Sequence, residues 1–146
     1  MSGFDTQPQA PYNIYLYESL IAAASLNHAL DKSTRGTYFL KKANDLGQII
    51  ENTFYNVPQV FYTVITKEEG YEHLQAIMLA NGLVPKEKQS RILNLLKSGT
   101  LRSIDLSALY YLISGLLNLG PNGRSFLIDS LRRILEPIVL SSATSL

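Results

Sequence analysis

The pattern of apolar and polar positions along the chain predicts helices almost throughout. The clearest pattern follows Ser33, where apolar residues recur at steps of three and four, as on one face of an α-helix. These residues are Phe39, Ala43, Leu46, Ile50 and Phe54. A helix over about 12–30, with Pro11 at its start, should precede this one. The turn DKSTRG joins the two, and Ser33 or Thr34 is predicted to cap the second helix, which ends near Tyr55.

The second half of the chain predicts four further helices, each bounded by a recognisable start or stop. Glycines in left-handed conformation are the expected stops, at Gly82, Gly99 and Gly120. The predicted helices are 66–81, opened by the capping box Thr66–Glu69, then 85–98, 104–119 and about 124–135, with Pro137 ending or kinking the last one. On this last helix, the predicted inward stripe is Leu127, Leu131, Ile134 and Ile138.

The stretch 103–123 is the most apolar part of the chain, and Asp105 is its only charged residue. Ser103 is placed to cap its helix, and Asp105 lies in the first turn, where a negative charge suits the helix dipole. A helix that is apolar nearly all round is expected to be buried on most sides. At about 16 residues it is shorter than the roughly 20 that a membrane span requires, so a core or subunit-interface helix is predicted.

Residues 59–66, QVFYTVIT, have the β-branched and aromatic composition of a strand. No second strand-forming segment is evident, so a short helix or an extended connector is expected there instead. The fold class is therefore all-α, an antiparallel bundle of five to six helices joined by short loops. The predicted organisation is an extended N-terminal arm over 1–11, a single helical domain over 12–140 and a tail over 141–146.

The amino-acid composition indicates a protein that associates with other chains. Hydrophobic residues make up 46% of the chain and charged residues only 17%, so much of the surface must be neutral polar or apolar. Such a surface favours a protein that buries part of itself against other chains. The net charge of +1 divides into five basic and eight acidic residues over 1–85, against eight basic and four acidic over 86–146. This asymmetry could guide head-to-tail association or direct the second half to a polyanion.

The chain offers little catalytic or metal-binding chemistry. It has no cysteine and two histidines. His28 suits a helix C-terminus, and His73 with Glu69 supplies only two metal ligands where zinc sites need three or four. The turn Gly120–Arg124 could hold a phosphate through backbone N–H groups, although a plain turn between helices explains it more simply. The sequence therefore predicts no enzyme, no metal and no cofactor.

Basic residues interleaved with aromatic ones are the remaining signal. One cluster lies near Tyr38 at the start of the second helix, and a second lies on the last helix, where three helices could also imitate a helix-turn-helix. The candidate nucleic-acid-binding residues are Lys32, Arg35, Lys41, Lys42, Arg124, Arg132 and Arg133. A solvated face is the simpler interpretation of each cluster, but many copies with a few phosphate contacts each would still bind DNA.

In layout the chain resembles the coat (major capsid) proteins of filamentous archaeal DNA viruses. The shared features are the QPQAP arm, the tyrosine-rich first helix, the basic start of the second helix and the apolar C-terminal hairpin. The resemblance implies subunits that wrap double-stranded DNA, pack into a helical filament and reside in the virion. Self-association is assigned to the tyrosines Tyr12, Tyr15, Tyr17, Tyr110 and Tyr111.

Three functional hypotheses follow from the sequence. The first is a non-enzymatic structural subunit that assembles with itself or a related helical subunit, as the coat of a DNA filament. The second is a small helical nucleic-acid-binding subunit of a larger complex, with a cytoplasmic location. The third is a helical enzyme or ligand-binding module that uses Glu69 and His73 or the Arg124 turn. No membrane span is expected in any of them.

Overall fold

A computed structural model describes residues 9–64, 70–104 and 106–143, and these are mostly helical. The all-α class is confirmed, with six α-helices and one two-stranded sheet in the described part of the chain. The elements are α1 Ala10–Ala29, α2 Ser33–Phe54, β1 Tyr55–Asn56, β2 Phe61–Tyr62, α3 Glu72–Ala80, α4 Lys86–Ser98, a 3₁₀ turn Leu106–Ala108, α5 Leu109–Asn118 and α6 Pro121–Ala143. The backbone forms two compact units, 1–70 and 71–146. The single domain over 12–140 and the antiparallel bundle stay predictions.

The first unit is built on the pairing of α1 with α2. From the predicted stripe of α2, Ala43, Ile50 and Phe54 are buried, while Phe39 and Leu46 are half-buried. The His28 ring lies against Gly36, where a Cβ atom would come within 2.6 Å of its Nε2 atom. A side chain at Gly36 would therefore have to displace the exposed His28 ring.

The starts of α1 and α2 differ slightly from the prediction. Helix α1 begins at Ala10, two residues early, so the end of the predicted arm is helical. Helix α2 begins at Ser33, but its N-cap position is Lys32 and no side chain caps it. The predicted cap by Ser33 or Thr34 is therefore wrong. The backbone provides the turn instead, because Lys32 N–H donates to the Asn27 carbonyl and Lys32 O accepts from Arg35 and Gly36.

The segment expected to be a helix or a connector contains a short β-hairpin. Its second strand, Phe61–Tyr62, pairs in antiparallel fashion with Tyr55–Asn56, the residues that directly follow α2. The rejected strand interpretation of the QVFYTVIT segment was therefore right for these two residues. Its partner was missed because it belongs to the predicted end of α2. The rings of Tyr55 and Tyr62 meet edge-on, with centroids 5.2 Å apart.

The hairpin loop contains an unfavourable backbone conformation at Val60, whose φ angle is +63°. The Val60 N–H is held by the Asn56 carbonyl at 2.7 Å, which fixes the loop. A left-handed conformation costs an L-residue about 1–2 kcal/mol, and asparagine tolerates it better than a β-branched residue does. We expect Val60→Asn to raise the free energy of unfolding by about 1 kcal/mol in urea denaturation. Val57→Asn, in the same loop, is the control, and an equal effect of both would contradict the assignment.

In the second unit, α3 and α5 pack closely because Gly115 has no side chain. A Cβ atom at Gly115 would lie 2.8 Å from the Ala76 carbonyl oxygen and 2.9 Å from the Leu79 Cβ atom. The amide of Asn118 donates to the Leu79 and Ala80 carbonyls, at 3.2 and 3.0 Å, and so caps the end of α3. The buried face of α5 is narrow and consists of Leu112, Gly115 and Leu116.

The glycine stops are confirmed, and the helix starts are less so. Gly82, Gly99 and Gly120 all have φ angles near +66°. Helix α4 begins at Lys86, with Pro85 at its N-cap position, close to the prediction. The capping box Thr66–Glu69 lies outside the described residues. Helix α3 begins only at Glu72, because Gly70 pairs with Thr63 and Tyr71 with Arg102 in isolated β-bridges.

The helix expected from Ser103 begins later, and it is less buried than predicted. The first regular element is the 3₁₀ turn at Leu106, because the Ile104 N–H donates to the Glu72 carboxylate at 3.0 Å instead of entering a helix. Ser103 therefore caps no helix, and Asp105 lies outside the described residues. Within the single chain the helix is not buried on most sides, since Tyr110 is 72% exposed and Leu117 is exposed as well. A core position is therefore wrong, and a place in a subunit interface stays a prediction.

Helix α6 is longer than predicted at both ends. It begins at Pro121, because proline fits the first turn of a helix, so Pro121–Arg124 is helical rather than a loop. Gly123 packs against the Leu116 carbonyl of α5, where a Cβ atom would overlap that oxygen. The helix also continues past Pro137 to Ala143, so Pro137 does not end it, and the first residues of the predicted tail are helical.

Candidate self-association surfaces and nucleic-acid contacts

Helix α6 carries, over residues 128–140, an apolar surface that no described element covers. Ile128, Leu135, Val139 and Leu140 are between 38% and 64% exposed. Together with the half-buried Leu131 they line one continuous surface of the helix. We call this surface, with its members Ile128, Leu131, Arg132, Leu135, Glu136, Val139 and Leu140, the α6 face.

Two opposite charges lie within the α6 face. Arg132 and Glu136 are one turn apart and both exposed. Neither is joined to another described residue by a hydrogen bond or an ion pair. Within one helix, an ion pair with the acidic residue on the N-terminal side is the stronger arrangement, and here the order is reversed. Both charges are therefore available to groups outside the chain.

A different side of α6 packs within the second unit. Ile134 and Ile138 line a groove with Ser103, Ile104 and Leu106. Of the predicted inward stripe, Leu127, Leu131 and Ile134 are half-buried, and Ile138 is 41% exposed. The predicted stripe is therefore right only in part, because Leu131 also belongs to the α6 face and the buried Ser130 lies off the stripe. The rest of the α6 face was missed. The available signal was that α6 has apolar residues off that stripe, which one packed face does not explain.

The first unit carries a second uncovered apolar surface along α1. Its large residues are 44–70% exposed and recur at helical spacing, and the short residues Ser19, Ala22 and Ala23 lie between them. We call this surface the α1 stripe, with large members Tyr12, Tyr15, Leu16, Leu26 and Leu30. It contains no charged residue. At 1.5 Å per residue it extends for about 27 Å.

The predicted self-association tyrosines do not lie on one surface. Tyr12 and Tyr15 belong to the α1 stripe, whereas Tyr17 lies on another side of α1 and is half-buried. Burial raises the pKa of the Tyr17 phenol above its usual value. On α5, Tyr110 is exposed and Tyr111 half-buried, with ring centroids 5.4 Å apart.

The basic cluster of α2 lies on the exposed side of that helix. Lys32, Arg35, Lys41 and Lys42 are all exposed. Lys41 pairs with Asp45 at 2.9 Å, and the Lys42 ammonium lies 5.8 Å from the centre of the Tyr38 ring. Because Arg35, Tyr38 and Lys42 follow at steps of three and four, they form one row of two cations around an exposed aromatic ring.

The three arginines of α6 have different surroundings. Arg124 is exposed in the first turn of the helix, and Arg132 belongs to the α6 face. Arg133 binds Glu72 through two nitrogens, Nη1 to Oε1 and Nη2 to Oε2, each at 2.9 Å. The guanidinium of Arg133 is thus engaged inside the second unit, which leaves Arg124 and Arg132 as the accessible arginines of the set.

Glu72 is the most buried charged group in the described part of the second unit, with a side chain only 1% exposed. Besides the fork of Arg133, its carboxylate accepts the Ile104 N–H. Its own backbone N–H donates to the Arg102 carbonyl at 3.0 Å, and the Arg102 guanidinium lies over the Tyr71 ring. One residue at the start of α3 therefore fixes both the 102–104 segment and the middle of α6. Nothing in the sequence distinguished Glu72 from the other acidic residues.

The remaining candidate sites gain no support. Three or more metal-binding side chains do not come together anywhere among the described residues, and Glu69 lies outside them. His28 lies in the last turn of α1, as predicted, and His73 lies in α3. The predicted phosphate loop is the first turn of α6. Within the described ranges, each helix is too short or too polar to span a lipid bilayer.

Comparison of the chain with protein-family models, with curated proteins and with solved structures found no match. The functional argument therefore depends on the surfaces described above.

Proposed function

We propose that this protein is a non-enzymatic structural subunit that assembles with copies of itself or with a related helical subunit. The observation that carries the proposal is the exposure of two continuous apolar helix surfaces, the α6 face and the α1 stripe. Single exposed apolar residues are common on proteins, but continuous rows of large ones are typical of contact surfaces. The low content of charged residues supports the same conclusion.

The energetic argument favours burial of these surfaces in an assembly. Removing apolar area from water contributes about 25 cal/mol per Å². Each copy has one surface in each compact unit, so it can contact more than one neighbour. Two separate surfaces per subunit permit open-ended assembly, as a filament requires. The coat of a DNA-containing filament is the form of assembly that we propose, in accord with the layout resemblance described above.

Sedimentation velocity over a range of protein concentrations tests this proposal, with negative-stain electron microscopy of the same samples. We expect the mean mass to rise with concentration and ordered oligomers or filaments to appear. Added double-stranded DNA should promote the assembly. A monomer that persists at about 200 μM, with and without DNA, would contradict the proposal, because surfaces of this kind should associate with at least weak affinity.

Nucleic-acid binding is both part of the coat proposal and the alternative function of a smaller complex. The row formed by Arg35, Tyr38 and Lys42 favours it, since two cations flank an exposed aromatic ring. We expect the double variant R35A/K42A to bind double-stranded DNA about tenfold more weakly at low salt. Its plot of log affinity against log salt should be shallower by about two, because each lost phosphate contact removes about 0.9 from the slope.

The matched control for this prediction is K86A/R91A, which removes the same charge from two exposed positions on α4. If both double variants lose the same affinity in a mobility-shift or anisotropy titration, the attraction is due to net charge, and the α2 row is not the binding site.

A further inference from the structure

We propose that the α6 face is a homotypic contact, in which two copies of α6 pack antiparallel about a twofold axis near the level of Ile134. Arg132 of each copy then lies opposite Glu136 of the other. The inference rests on the proposed self-assembly and names one of its surfaces, its partner and its orientation.

The α6 face is suited to packing against another helix. At about 100° per residue, Ile128, Leu135 and Val139 lie within roughly 40° of one another around the helix axis. Pro137 lies about half a turn away from Ile128, so its ring is outside the contact. The apolar row over 128–140 is about 18 Å long at 1.5 Å per residue. Ile134 and Ile138 line a separate groove with Ser103, Ile104 and Leu106, so a partner on the α6 face would leave that groove unchanged.

The two charges select a second copy as the occupant. Arg132 and Glu136 lie inside an apolar surface, where burial without partners would be unfavourable. A twofold axis halfway between Arg132 and Glu136 along the helix places Arg132 of one copy next to Glu136 of the other, and the reverse. The same surface on two copies is then complementary in charge. A parallel pair would instead place Arg132 against Arg132. The antiparallel orientation is therefore the one that satisfies both charges.

The size of the α6 face indicates a weak contact that gains strength by repetition. One helix face of this length is smaller than the roughly 800 Å² that each partner contributes to a standard stable interface. In an assembly that also uses other surfaces, each contact becomes intramolecular and adds to the total affinity. The isolated α6 contact should therefore be detected at high micromolar concentration, and its effect should be larger in the full assembly.

Charge reversal tests the pairing directly. R132E places two pairs of like charges in the antiparallel contact, and E136R does the same with the opposite sign. We expect each single variant to weaken self-association in sedimentation equilibrium at least tenfold. The swap R132E/E136R should restore association to within about threefold, as should an equimolar mixture of the two single variants. Reversal of exposed Arg91 on α4, R91E, is the control and should have no comparable effect.

Cysteine cross-linking tests the orientation, and the chain has no cysteine of its own to interfere. Leu135 lies beside the proposed axis, so L135C should form a disulfide dimer under mild oxidation. Ile128 of the two copies would be about 18 Å apart, so I128C alone should not cross-link. Val139 shares the side of Ile128 and lies near the level of Ile128 in the other copy, so a mixture of I128C and V139C should cross-link. Efficient cross-linking of I128C with itself would indicate a parallel pair and overturn the proposal.

The outcomes distinguish this inference from the proposed function. If the wild-type chain assembles and R132E assembles equally well, the α6 face is not the homotypic contact, and self-assembly stands on other surfaces. If R132E and E136R weaken assembly but neither their mixture nor the swap restores it, the α6 face binds something other than a second α6. If the wild-type chain does not assemble at all, both proposals fail.

Discussion

Replacement of Arg133 by methionine is expected to lower the free energy of unfolding by about 3 kcal/mol. Methionine keeps much of the apolar stem but removes the fork that holds both oxygens of Glu72. The Glu72 carboxylate, only 1% exposed, would then retain the Ile104 N–H but lose its charge partner. Breaking a buried ion pair costs about 3–5 kcal/mol, and the lower value applies because Arg133 is 41% exposed. Urea denaturation followed by circular dichroism measures the change.

The control for this prediction is Arg91→Met, which removes an exposed arginine from α4 and should change stability by less than about 0.5 kcal/mol. The single variant E72Q and the double variant E72Q/R133M complete a cycle, since glutamine removes the buried charge. We expect the double variant to be more stable than R133M alone. If R133M is as stable as R91M, or if the cycle shows no coupling, the ion pair does not stabilise the second unit.

The second large effect is expected at Gly115, where α3 and α5 approach most closely. Gly115→Leu would push a branched side chain against the Ala76 carbonyl and the Leu79 Cβ atom. Both would already lie within 3 Å of the Cβ atom of any side chain at this position. Overpacking a close helix contact costs about 1–3 kcal/mol, and a leucine here should reach the upper value because backbone atoms form one wall. Gly115→Ala should cost less, since its methyl group is smaller and alanine favours the helix.

Thermal or urea denaturation of Gly115→Leu and Gly115→Ala measures the change in the free energy of unfolding. Ser114→Leu, one residue earlier on α5, is the matched control. Ser114 is half-buried and should tolerate the change to within about 1 kcal/mol. If Ser114→Leu lowers the free energy of unfolding as much as Gly115→Leu does, leucine destabilises α5 at either position. The close approach of α3 and α5 at Gly115 is then not the cause.

Helix stops at glycine proved easier to predict from the sequence than helix starts at a side-chain cap. The stops at Gly82, Gly99 and Gly120 depend on a left-handed backbone conformation that glycine adopts without cost, so the local sequence determines them. The start expected at Ser103 depended on a side-chain cap, and there a residue far away in the chain took the backbone group instead. Glu72 accepts the Ile104 N–H, and a tertiary hydrogen bond of this kind has no local signal.

The hairpin and the surfaces of α5 and α6 illustrate two further features that the sequence alone does not determine. Strand pairing requires a partner, and Tyr55–Asn56 could not be separated from the helical pattern that precedes it. Apolar composition predicted burial for α5, but composition measures only the tendency to be buried, not which element provides the cover. Tyr110, Leu117 and Val139 are apolar and exposed in the single chain, so their pattern alone could not tell a core from a contact surface.

The lysines and arginines predicted to bind nucleic acid differ in their surroundings in the structure. The exposed row on α2 has the placement that nucleic-acid binding requires, and its role stays a prediction. Arg133, from the same set, belongs to an internal ion pair instead, which sequence spacing could not reveal because Glu72 is 61 residues away.

That separation has a consequence for synthesis. At about 5–20 residues per second, the ribosome adds the 61 residues between Glu72 and Arg133 in about 3–12 s. During this interval α1 and α2, which are neighbours in sequence, can already pair, while the nascent second unit still lacks the arginine that its buried carboxylate requires. Helix α6 therefore completes the second unit when it leaves the exit tunnel, and it carries the α6 face with it.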